Sequence, residues 1–487
     1  MQEHQFTWGI EALDTVLKPA IAPRSTILIA GNPGTGKTTL AATICYSNAV
    51  RGKPCLYITF HEEKERFIDQ MKRFDMDFEE LEMKNMFVYL RLPLVTTEDA
   101  LSDMLTRITS SVERHGVRVV VVDSYTPLGK ATLNDIKART LLQNFFYNLA
   151  KTINGIVVLI AEVPIGQETI ALGDIEFVTD TVILLKHRVV RGLIERTLEI
   201  RKARGAKITQ AELPFSIVDK RGIVVIAPPL IERLKPPRID IRVLLPCKSL
   251  METIDHLHPG HYLYIVVPPD ARGYNYVLKL ISATILLNRL RTLIISYYWS
   301  PEEFTELLNE ILEELGGYGA CVKRGVDAEA LRNTFRELVE VYSLNPASMS
   351  LEELYSHELA KIESYRPQLV VFDRTDVLSS IHGAVDMAKH FMYLRNQLLY
   401  LRYRDVLTVR IAALVDEGMY RRESSIADAV IRLEYREQGA IIKPYLYVWR
   451  SGRDPKILDP DLIHMCVAEM DRLICGEESG YTKRAQT

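Results

Sequence analysis

A glycine-rich segment near the start of the chain carries the residue types that bind a triphosphate. It reads Gly31-Asn32-Pro33-Gly34-Thr35-Gly36-Lys37-Thr38 and fits the pattern G-x-x-x-x-G-K-[ST] in full. In such a loop the backbone N–H groups surround the phosphates, the lysine reaches the β and γ oxygens, and the hydroxyl is a ligand of Mg²⁺. We predict that these residues and the following Thr39 bind a nucleoside triphosphate. Lys37 is also predicted to act in catalysis, and Thr38 to hold the metal.

An aspartate at the end of an apolar run is the second candidate metal ligand. The run is Arg118-Val119-Val120-Val121-Val122-Asp123. An apolar strand followed by Asp is common, so the prediction depends on the loop upstream. At the carboxyl edge of a parallel sheet, beside that loop, such a carboxylate holds Mg²⁺ through water. We predict this role for Asp123, with Ser124 sharing the site through hydrogen bonding.

Hydrolysis also needs a group that orients or deprotonates the attacking water. The run Cys55–Phe60 is followed by His61-Glu62-Glu63, and the carboxyl ends of parallel strands face the ligand. Glu62 and Glu63 are therefore the predicted catalytic carboxylates, with Glu62 preferred. The alternative is that both residues open the next helix, where acidic side chains are favoured by the helix dipole.

A basic cluster, Arg201-Lys202-Ala203-Arg204-Gly205, follows the predicted strand Glu195–Ile200. On an extended segment Lys202 and Arg204 point the same way and form a fork that suits a γ-phosphate. The alternative is a solvated basic turn. We predict that Lys202 and Arg204 belong to the nucleotide site.

The elements that must position these residues occur twice in the chain. The strand-like run Thr26–Ala30, its glycine-rich turn and a helical stretch from Lys37 match Leu263–Val267, a turn ending at Gly273 and another helical stretch. Two later apolar runs in the first half have counterparts in the second, Thr292–Tyr297 and Gln368–Asp373. Strands that alternate with helices, several of them wholly apolar, predict an α/β fold with a parallel sheet covered on both faces in each half.

A proline-rich stretch around Pro228-Pro229 and Pro236-Pro237 lies between the two halves. Proline fixes φ and removes a backbone donor, so this stretch suits a semi-rigid linker. The predicted organisation is a first domain at 1–228, a linker at 229–238, a second domain at 239–472 and a mobile tail at 473–487.

The bulk composition excludes several classes of protein. The 487 residues include 60 basic and 63 acidic side chains, which gives a net charge of −3 and no electrostatic reason for general nucleic-acid or membrane binding. The N-terminus shows neither region of a signal peptide, and the apolar runs are too short to span a bilayer. The six cysteines have no zinc-like spacing, so we expect reduced thiols in a soluble, cytoplasmic protein.

Taken together, the motifs resemble the KaiC-like branch of the RecA-type ATPases. Five segments carry the resemblance: Thr7–Asp14 at the start, Gly31–Thr38, Thr59-Phe60-His61-Glu62, Val122-Asp123-Ser124, and Lys202–Gly205 with Glu212-Leu213-Pro214-Phe215. Trp8 departs from the opening pattern as an insertion-like residue. The resemblance implies two tandem RecA-like domains of the P-loop NTPase fold, with ATP and Mg²⁺ as cofactors.

The resemblance also implies an assembly and roles within it. It implies a hexameric ring with ATP at the subunit interfaces, where Lys202 and Arg204 reach a neighbour's γ-phosphate. The paired glutamates of the family fall on His61 and Glu62, and this departure puts the rate of hydrolysis in doubt. A histidine that follows the basic motif in the family falls on Ile208. Such proteins use their C-terminal tails for protein partners, but nothing in this sequence names the partner.

The second half lacks the residues of the nucleotide site. Lys37 corresponds to Tyr274, Thr38 to Asn275 and Glu62 to Trp299, although Asp373 matches Asp123. We predict a catalytically silent domain; Gly273 and the helix after it leave a divergent nucleotide site open. Ser424 and Ser425 fall where the clock protein of the family is phosphorylated, and we predict an N-cap and surface serines there, with protein kinase activity unexpected.

The leading prediction is a slow ring ATPase that acts as a regulatory or signalling switch. A first alternative is a RecA/RadA-like DNA-binding ATPase of recombination or repair. Its DNA-binding loop would be Val163–Asp180, which contains acidic residues and no Lys or Arg, a poor surface for phosphates. Lys130, Lys137 and Arg139 keep this alternative open. A second alternative is a non-hydrolysing sensor in which ATP binding alone assembles the ring.

Overall fold

The computed structural model describes residues 6–17, 21–93, 98–132, 135–170, 175–208, 210–227, 238–270, 272–317, 328–383 and 386–474. The chain divides into two compact units, Met1–Ala227 and Pro228–Thr487. The predicted linker lies, up to residue 237, outside the described residues, and so does the tail from residue 475 onward. The domain boundaries therefore stay predictions.

In the described part of the first unit, one sheet has the strand order β3-β2-β4-β5-β1-β6-β7-β8-β9. The strands are β1 Ser25–Gly31, β2 Cys55–Thr59, β3 Phe87–Arg91, β4 Val119–Asp123, β5 Ile156–Glu162, β6 Thr181–Val190, β7 Leu193–Ala203, β8 Glu212–Val218 and β9 Gly222–Val225. The helices are α1 Glu11–Val16, α2 Lys37–Ala49, α3 Lys64–Lys72, α4 Phe78–Met83, α5 Glu98–His115, α6 Thr126–Ala131, α7 Ile136–Thr152 and α8 Ile175–Val178. Pairing is parallel from β3 to β6 and antiparallel from β6 to β9.

The central strand β1 is buried along its whole length because both of its faces are covered. Ile27 and Ile29 pack in one apolar cluster with residues of α2, whereas Leu28 and Ala30 pack in another with residues of α5 and α7. Successive side chains of a strand point to opposite faces, so an uninterrupted apolar run requires a layer of helices on each side. The predicted α/β layering of the first half is confirmed.

The described part of the second unit repeats this arrangement, with the strand order β12-β11-β13-β14-β10-β15-β16-β17. Its strands are β10 Tyr262–Val267, β11 Thr292–Ser296, β12 Val339–Ser343, β13 Leu369–Asp373, β14 Leu407–Ala413, β15 Ala429–Gln438, β16 Ile441–Arg450 and β17 Lys456–Leu458. Its helices are α9 Lys248–Ile254, α10 Tyr274–Asn288, α11 Pro301–Gly317, α12 Ala328–Leu338, α13 Leu351–Tyr365, α14 Thr375–Leu378, α15 Met387–Tyr403, α16 Glu417–Ile426 and α17 Pro460–Ile474, with a π-helical turn at Ser379–Gly383. The predicted fold class, two tandem and mostly parallel α/β domains, is confirmed.

The hydrogen bonds correct one detail of the repeat. The carboxylate of Asp180 accepts from the amide of Thr26 (2.9 Å), and that of Asp428 accepts from the amide of Tyr262 (2.8 Å). Thr26 is therefore equivalent to Tyr262, whereas the sequence alignment paired it with Leu263. The turn before Gly273 is one residue longer than the turn before Gly36.

The expectation of reduced thiols is wrong for four cysteines. The structure joins Cys45 to Cys55 and Cys247 to Cys466. Spacing could not show these pairs because the fold brings α2 against β2 and α9 against α17. Cys321 and Cys475 lie outside the described residues. Among the helices in the described ranges, none is both long and apolar enough to cross a membrane.

The N-terminal segment is held on α2 by one buried amide. Asn48 accepts from the backbone N–H of Thr7 (3.1 Å) and donates to the carbonyls of Thr7 and Ile44 (2.8 Å each). Asn48 is fully buried. Trp8, the insertion-like residue of the sequence, is also fully buried.

We expect Asn48→Ala to lower the free energy of unfolding of the first unit by about 2–4 kcal/mol, because buried backbone groups of Thr7 lose their partners. Urea denaturation measures the change. Asn148→Ala is the matched control, since it makes the same substitution at an exposed position of α7. Equal losses in the two variants would contradict this account of Asn48.

Candidate nucleotide site

The glycine-rich loop leaves β1 at the carboxyl edge of the sheet and leads into α2. Gly34 and Gly36 have φ values of 77° and 97°, in the left-handed region that side chains disfavour. A Cβ on Gly36 would lie 2.8 Å from Cδ1 of Ile217, and one on Gly31 would lie 2.5 Å from the carbonyl oxygen of Leu185. Gly36 is therefore required by close packing as well as by backbone conformation, and Gly31 by close packing alone.

The loop is tied to the neighbouring strand and to its own lysine. The amide of Asn32 donates to the carbonyl of Pro164 (2.6 Å), just after β5. The ammonium of Lys37 donates to the carbonyl of Asn32 (2.9 Å). Pro33 is exposed, and Thr39 is buried in the first turn of α2. The predicted loop residues thus form one continuous turn with Lys37 at its centre.

Lys37 is buried. Burial lowers the pKa of its ammonium, while Glu162 and Asp123 oppose that shift. Two carboxylates therefore help to keep a cation at the base of the loop. A buried cation at this place supplies a strong donor for a phosphate oxygen.

The predicted metal ligands lie together. The hydroxyl of Thr38 donates to Oδ2 of Asp123 (2.8 Å), and the hydroxyl of Tyr57 donates to the same oxygen (2.7 Å). Burial raises the pKa of Asp123, and these two hydrogen bonds act against that shift. A hydroxyl and a carboxylate oxygen are ligands that suit Mg²⁺. Within the described ranges, no group of three or more His, Cys, Asp or Glu side chains forms a metal site.

The structure separates the two predicted catalytic glutamates. Glu62 is half-buried, its carboxylate lies 3.8 Å from Nε of Arg66, and its backbone N–H donates to the hydroxyl of Thr59 (3.3 Å). Burial and the nearby Asp123 raise the pKa of Glu62. Glu63 is exposed and forms an ion pair with Arg91. Of the two glutamates, Glu62 is therefore the one whose pKa depends on the charge of Asp123.

Two residues near the site were missed from the sequence. Tyr57 lies within β2, where nothing in the apolar run marks its hydroxyl. Glu162 is paired with Gly31 in the register of β5 with β1, and its charge acts on both Lys37 and Asp123. Glu162 follows an apolar strand just as Asp123 does, so the same signal could have identified it.

Lys202 and Arg204 lie apart from the loop of their own chain. Lys202 donates to the carbonyl of Glu176 (2.8 Å), and Arg204 forms an ion pair with Asp180 (3.2 Å). Asp180 binds the backbone of Thr26, at the start of β1, whereas the loop begins at the end of that strand. The rise of a strand puts these two places roughly 16 Å apart. Burial, and then the charge of Arg204, lower the pKa of Lys202.

The equivalent site of the second unit is filled by its own side chains. The hydroxyl of Tyr274 donates to Oδ1 of Asp373, and that of Ser296 donates to Oδ2 (2.9 Å). Asp373 is fully buried, and burial raises its pKa to about 6 although both hydrogen bonds act against the shift. The tyrosine that replaces the loop lysine thus seals the aspartate that matches Asp123.

Ser424 and Ser425 occupy the last turn of α16 and are exposed or half-exposed. Their hydroxyls donate to the carbonyls of Arg421 (3.2 Å) and Arg422 (2.8 Å). The N-cap of this helix is Asp416. The prediction that one of these serines caps a helix is therefore wrong, while their position at the surface is confirmed.

Comparison with known proteins agrees with this geometry. Residues 6–229 match the family model described as "ATPase: KaiC". The chain is 26% identical over 246 residues to the circadian clock protein KaiC3 of Synechocystis, which covers 48% of each protein. It is 25% identical over 395 residues to the circadian clock oscillator protein KaiC of Prochlorococcus marinus, covering 78% of this chain and 72% of that protein. The match to the clock protein KaiC of Acaryochloris marina is 24% over 385 residues, 76% of this chain and 69% of the relative.

Two mostly parallel sheets, with a complete glycine-rich loop on the first, define a RecA-type P-loop ATPase with tandem domains. Within that class, residues 6–229 match the KaiC family model, and the chain is similar to KaiC proteins over most of its length. The alignment to KaiC3 spans about half the length of that relative.

We expect Gly36→Ala to destabilise the first unit more than Gly34→Ala does. Both variants put a side chain at positive φ, which costs about 1–2 kcal/mol. Only the Cβ at position 36 has an atom within 4 Å, Ile217 Cδ1 at 2.8 Å, and this overpacking adds about 1–3 kcal/mol. Chemical denaturation of both variants measures the difference; equal losses would show that the contact with Ile217 relaxes freely.

Proposed function

We propose that this chain is an ATP-hydrolysing KaiC-like ring protein whose slow turnover serves as a regulatory switch. Hydrolysis takes place in the first domain only. The observation that carries the proposal is the hydrogen bond from Thr38 to Asp123 at the base of a complete glycine-rich loop, with Glu62 at the same edge of the sheet.

The residues present suit ATP and Mg²⁺. Thr38 and Asp123 offer oxygen ligands to the metal, with Asp123 acting through water. The loop N–H groups and Lys37 hold the phosphates. Bound Mg²⁺ supplies charge neutralisation on the phosphate oxygens. Tyr57 keeps the Asp123 carboxylate oriented by donating to Oδ2.

Glu62 is the proposed water-orienting base. Its raised pKa, caused by burial and then by the charge of Asp123, makes it a better proton acceptor than an exposed glutamate. The adjacent His61 replaces one of two paired glutamates in the family pattern. Losing one carboxylate there accounts for the slow turnover that we propose.

The position of Lys202 and Arg204 supports a ring. Both lie at the edge of the sheet opposite to their own glycine-rich loop, so their predicted role requires the site of another copy. Side chains from a neighbour then complete each nucleotide site, and ATP bound at the interface stabilises the hexamer that we propose. An unidentified protein partner would bind selectively to the ATP-bound hexamer.

The second domain is proposed to be catalytically silent. Tyr274 stands where Lys37 stands in the first domain and holds the buried Asp373. Neither the cation for the phosphates nor an accessible carboxylate for the metal is then offered by these positions.

We favour this proposal over a DNA-binding ATPase. Beside the Val163–Asp180 loop, Lys186 forms ion pairs with Glu168 and Glu199 (3.3 and 2.7 Å), and Arg201 pairs with the same two glutamates. These cations are neutralised within the protein, so they offer little to a phosphate backbone.

Native mass determination with and without Mg-ATP, followed by a phosphate-release assay, tests the proposal. We expect ATP-dependent hexamers, one nucleotide bound per chain, and measurable phosphate release. Lys37→Ala should weaken nucleotide binding roughly 10- to 100-fold because a charge-assisted hydrogen bond is lost. A monomer without turnover under both conditions would overturn the ring-ATPase proposal, and two nucleotides per chain would overturn the silent second domain.

We expect Glu62→Gln to lower phosphate release by about 10²–10⁴-fold while ATP binding stays intact, since only the proton acceptor is removed. Glu63→Gln is the matched control because its carboxylate is exposed and paired with Arg91. Equal rates of phosphate release in the two variants would show that Glu62 is not the base. If the native protein assembles with ATP but releases no phosphate, the non-hydrolysing sensor is the better account.

A further inference from the structure

A buried polar cluster in the second unit replaces an apolar layer of the first. In the first unit, Leu28, Ile108, Phe146 and Leu159 belong to one buried apolar cluster between the sheet and helices α5 and α7. The same face of the second sheet is covered by α13 and α15, and several of the side chains buried there are charged or polar.

The replacements can be matched position by position. Arg410 is the fourth residue of β14, as Leu159 is of β5. Glu358 and Ile108 occupy the same position counted back from the ends of α13 and α5. The layer that is apolar in the first unit thus contains a carboxylic acid and a guanidinium group in the second.

Two further positions changed with them. Gln397 stands in α15 where Phe146 stands in α7, since both helices have 17 residues and an aspartate N-cap. Tyr297 follows β11 as Phe60 follows β2. A polar side chain that is buried without hydrogen-bond partners costs free energy. The four polar residues of this layer therefore depend on one another.

Arg410 is the centre of the cluster and is fully buried. Its Nε donates to Oε2 of Glu423 (3.0 Å), which also accepts from the hydroxyl of Tyr262 (2.8 Å). Among the described residues, none accepts a hydrogen bond from Nη1 or Nη2 of Arg410. Both terminal nitrogens of this guanidinium are therefore available for another acceptor.

Glu358 is the candidate acceptor for the unpaired Nη groups of Arg410. It is fully buried and accepts from the hydroxyl of Tyr297 and from Nε2 of Gln397. Burial raises the pKa of Glu358 to about 8, although Tyr297, Arg410 and Gln397 all favour the ionised form. At neutral pH its carboxyl group thus keeps a proton close to a buried arginine.

Two other ionisable groups of the cluster, Lys389 and His390, are held in one charge state by an ion pair or by burial. Lys389 pairs with Glu352 (2.7 Å), and burial lowers the pKa of His390 to about 3. Among the described residues, the charged or titratable side chains around this layer are Glu352, Tyr355 and Glu358 of α13, Asp376 of α14, His382 of the π-helical turn, Lys389, His390 and Tyr393 of α15, Arg410 of β14, Glu423 of α16, Tyr262 and Tyr264 of β10, and Tyr297 just after β11. Burial raises the pKa of Glu358 to about 8, so its charge changes just above neutral pH.

We propose that this cluster is a proton-operated switch in which ionised Glu358 takes the free Nη groups of Arg410 and thereby weakens the Arg410–Glu423 pair. That pair is the buried tie between β14 and α16. Loss of the proton therefore loosens α16, the helix that carries Ser424 and Ser425 and leads into β15. The device answers to pH and needs no nucleotide in the second unit.

Hydrogen exchange of the full chain at pH 6.5 and pH 9, corrected for intrinsic rates, tests this switch. We expect protection of Glu417–Ile426 to fall about tenfold between the two conditions, because one pH unit above a pKa the ionised form dominates by that factor. Glu358→Gln, which mimics the protonated acid, should keep the protection at both pH values. Glu353→Gln, a half-buried glutamate of the same helix, should behave as the native protein does.

Thermal unfolding supplies the second measurement. The pKa of Glu358 is raised on folding, so its contribution to stability is fully present below pH 4.5 and is lost as pH rises through about 8. The melting temperature of the second unit should therefore fall over this window in the native protein and fall less in Glu358→Gln or in Glu358→Ile, which restores the residue found at position 108. Protection of α16 that does not change with pH in the native protein, or a pH response of the native size in both Glu358 variants, would overturn the switch.

Discussion

The site depends on the register of parallel strands. Gly31 pairs with Glu162 across β1 and β5, and Thr59 pairs with Asp123 across β2 and β4. Because parallel strands all end at one edge, this register brings the glycine-rich loop and several carboxylates to the same place, although they are far apart in sequence. The charge of each carboxylate then acts on the others, which is why Lys37 stays a useful cation and Glu62 becomes more basic.

The two units show how one scaffold treats the same aspartate in opposite ways. In the first, Asp123 accepts from a threonine and a tyrosine and remains at the edge of the site. In the second, Asp373 is closed off by Tyr274 and Ser296. In the layer behind the second sheet, Arg410 stands where the first unit has Leu159. Its buried polar groups are then held by one another.

The elements that depend on local pattern could be predicted from the sequence. The apolar runs identified the central strands within one or two residues, and the glycine-rich turn identified the start of α2. Residues whose importance comes from long-range contact could not be found this way. Tyr57 reads as an ordinary strand residue, Cys45 and Cys55 are joined only because α2 packs on β2, and the isolation of Lys202 from its own loop appears only in the sheet. Glu358 reads as one acidic residue of a helix, and its burial beside Arg410 depends on three other elements.

Lys202 lies far from the glycine-rich loop of its own chain, so in the proposed ring a complete nucleotide site belongs to two neighbouring chains. In the proposed ring, each chain contributes a loop to one site and two cations to the next. A defect in either part is then felt by a neighbour whose own sequence is normal. In a cell that makes both normal and altered copies, mixed rings would lose more function than the fraction of altered chains, and such alleles would be dominant in inheritance.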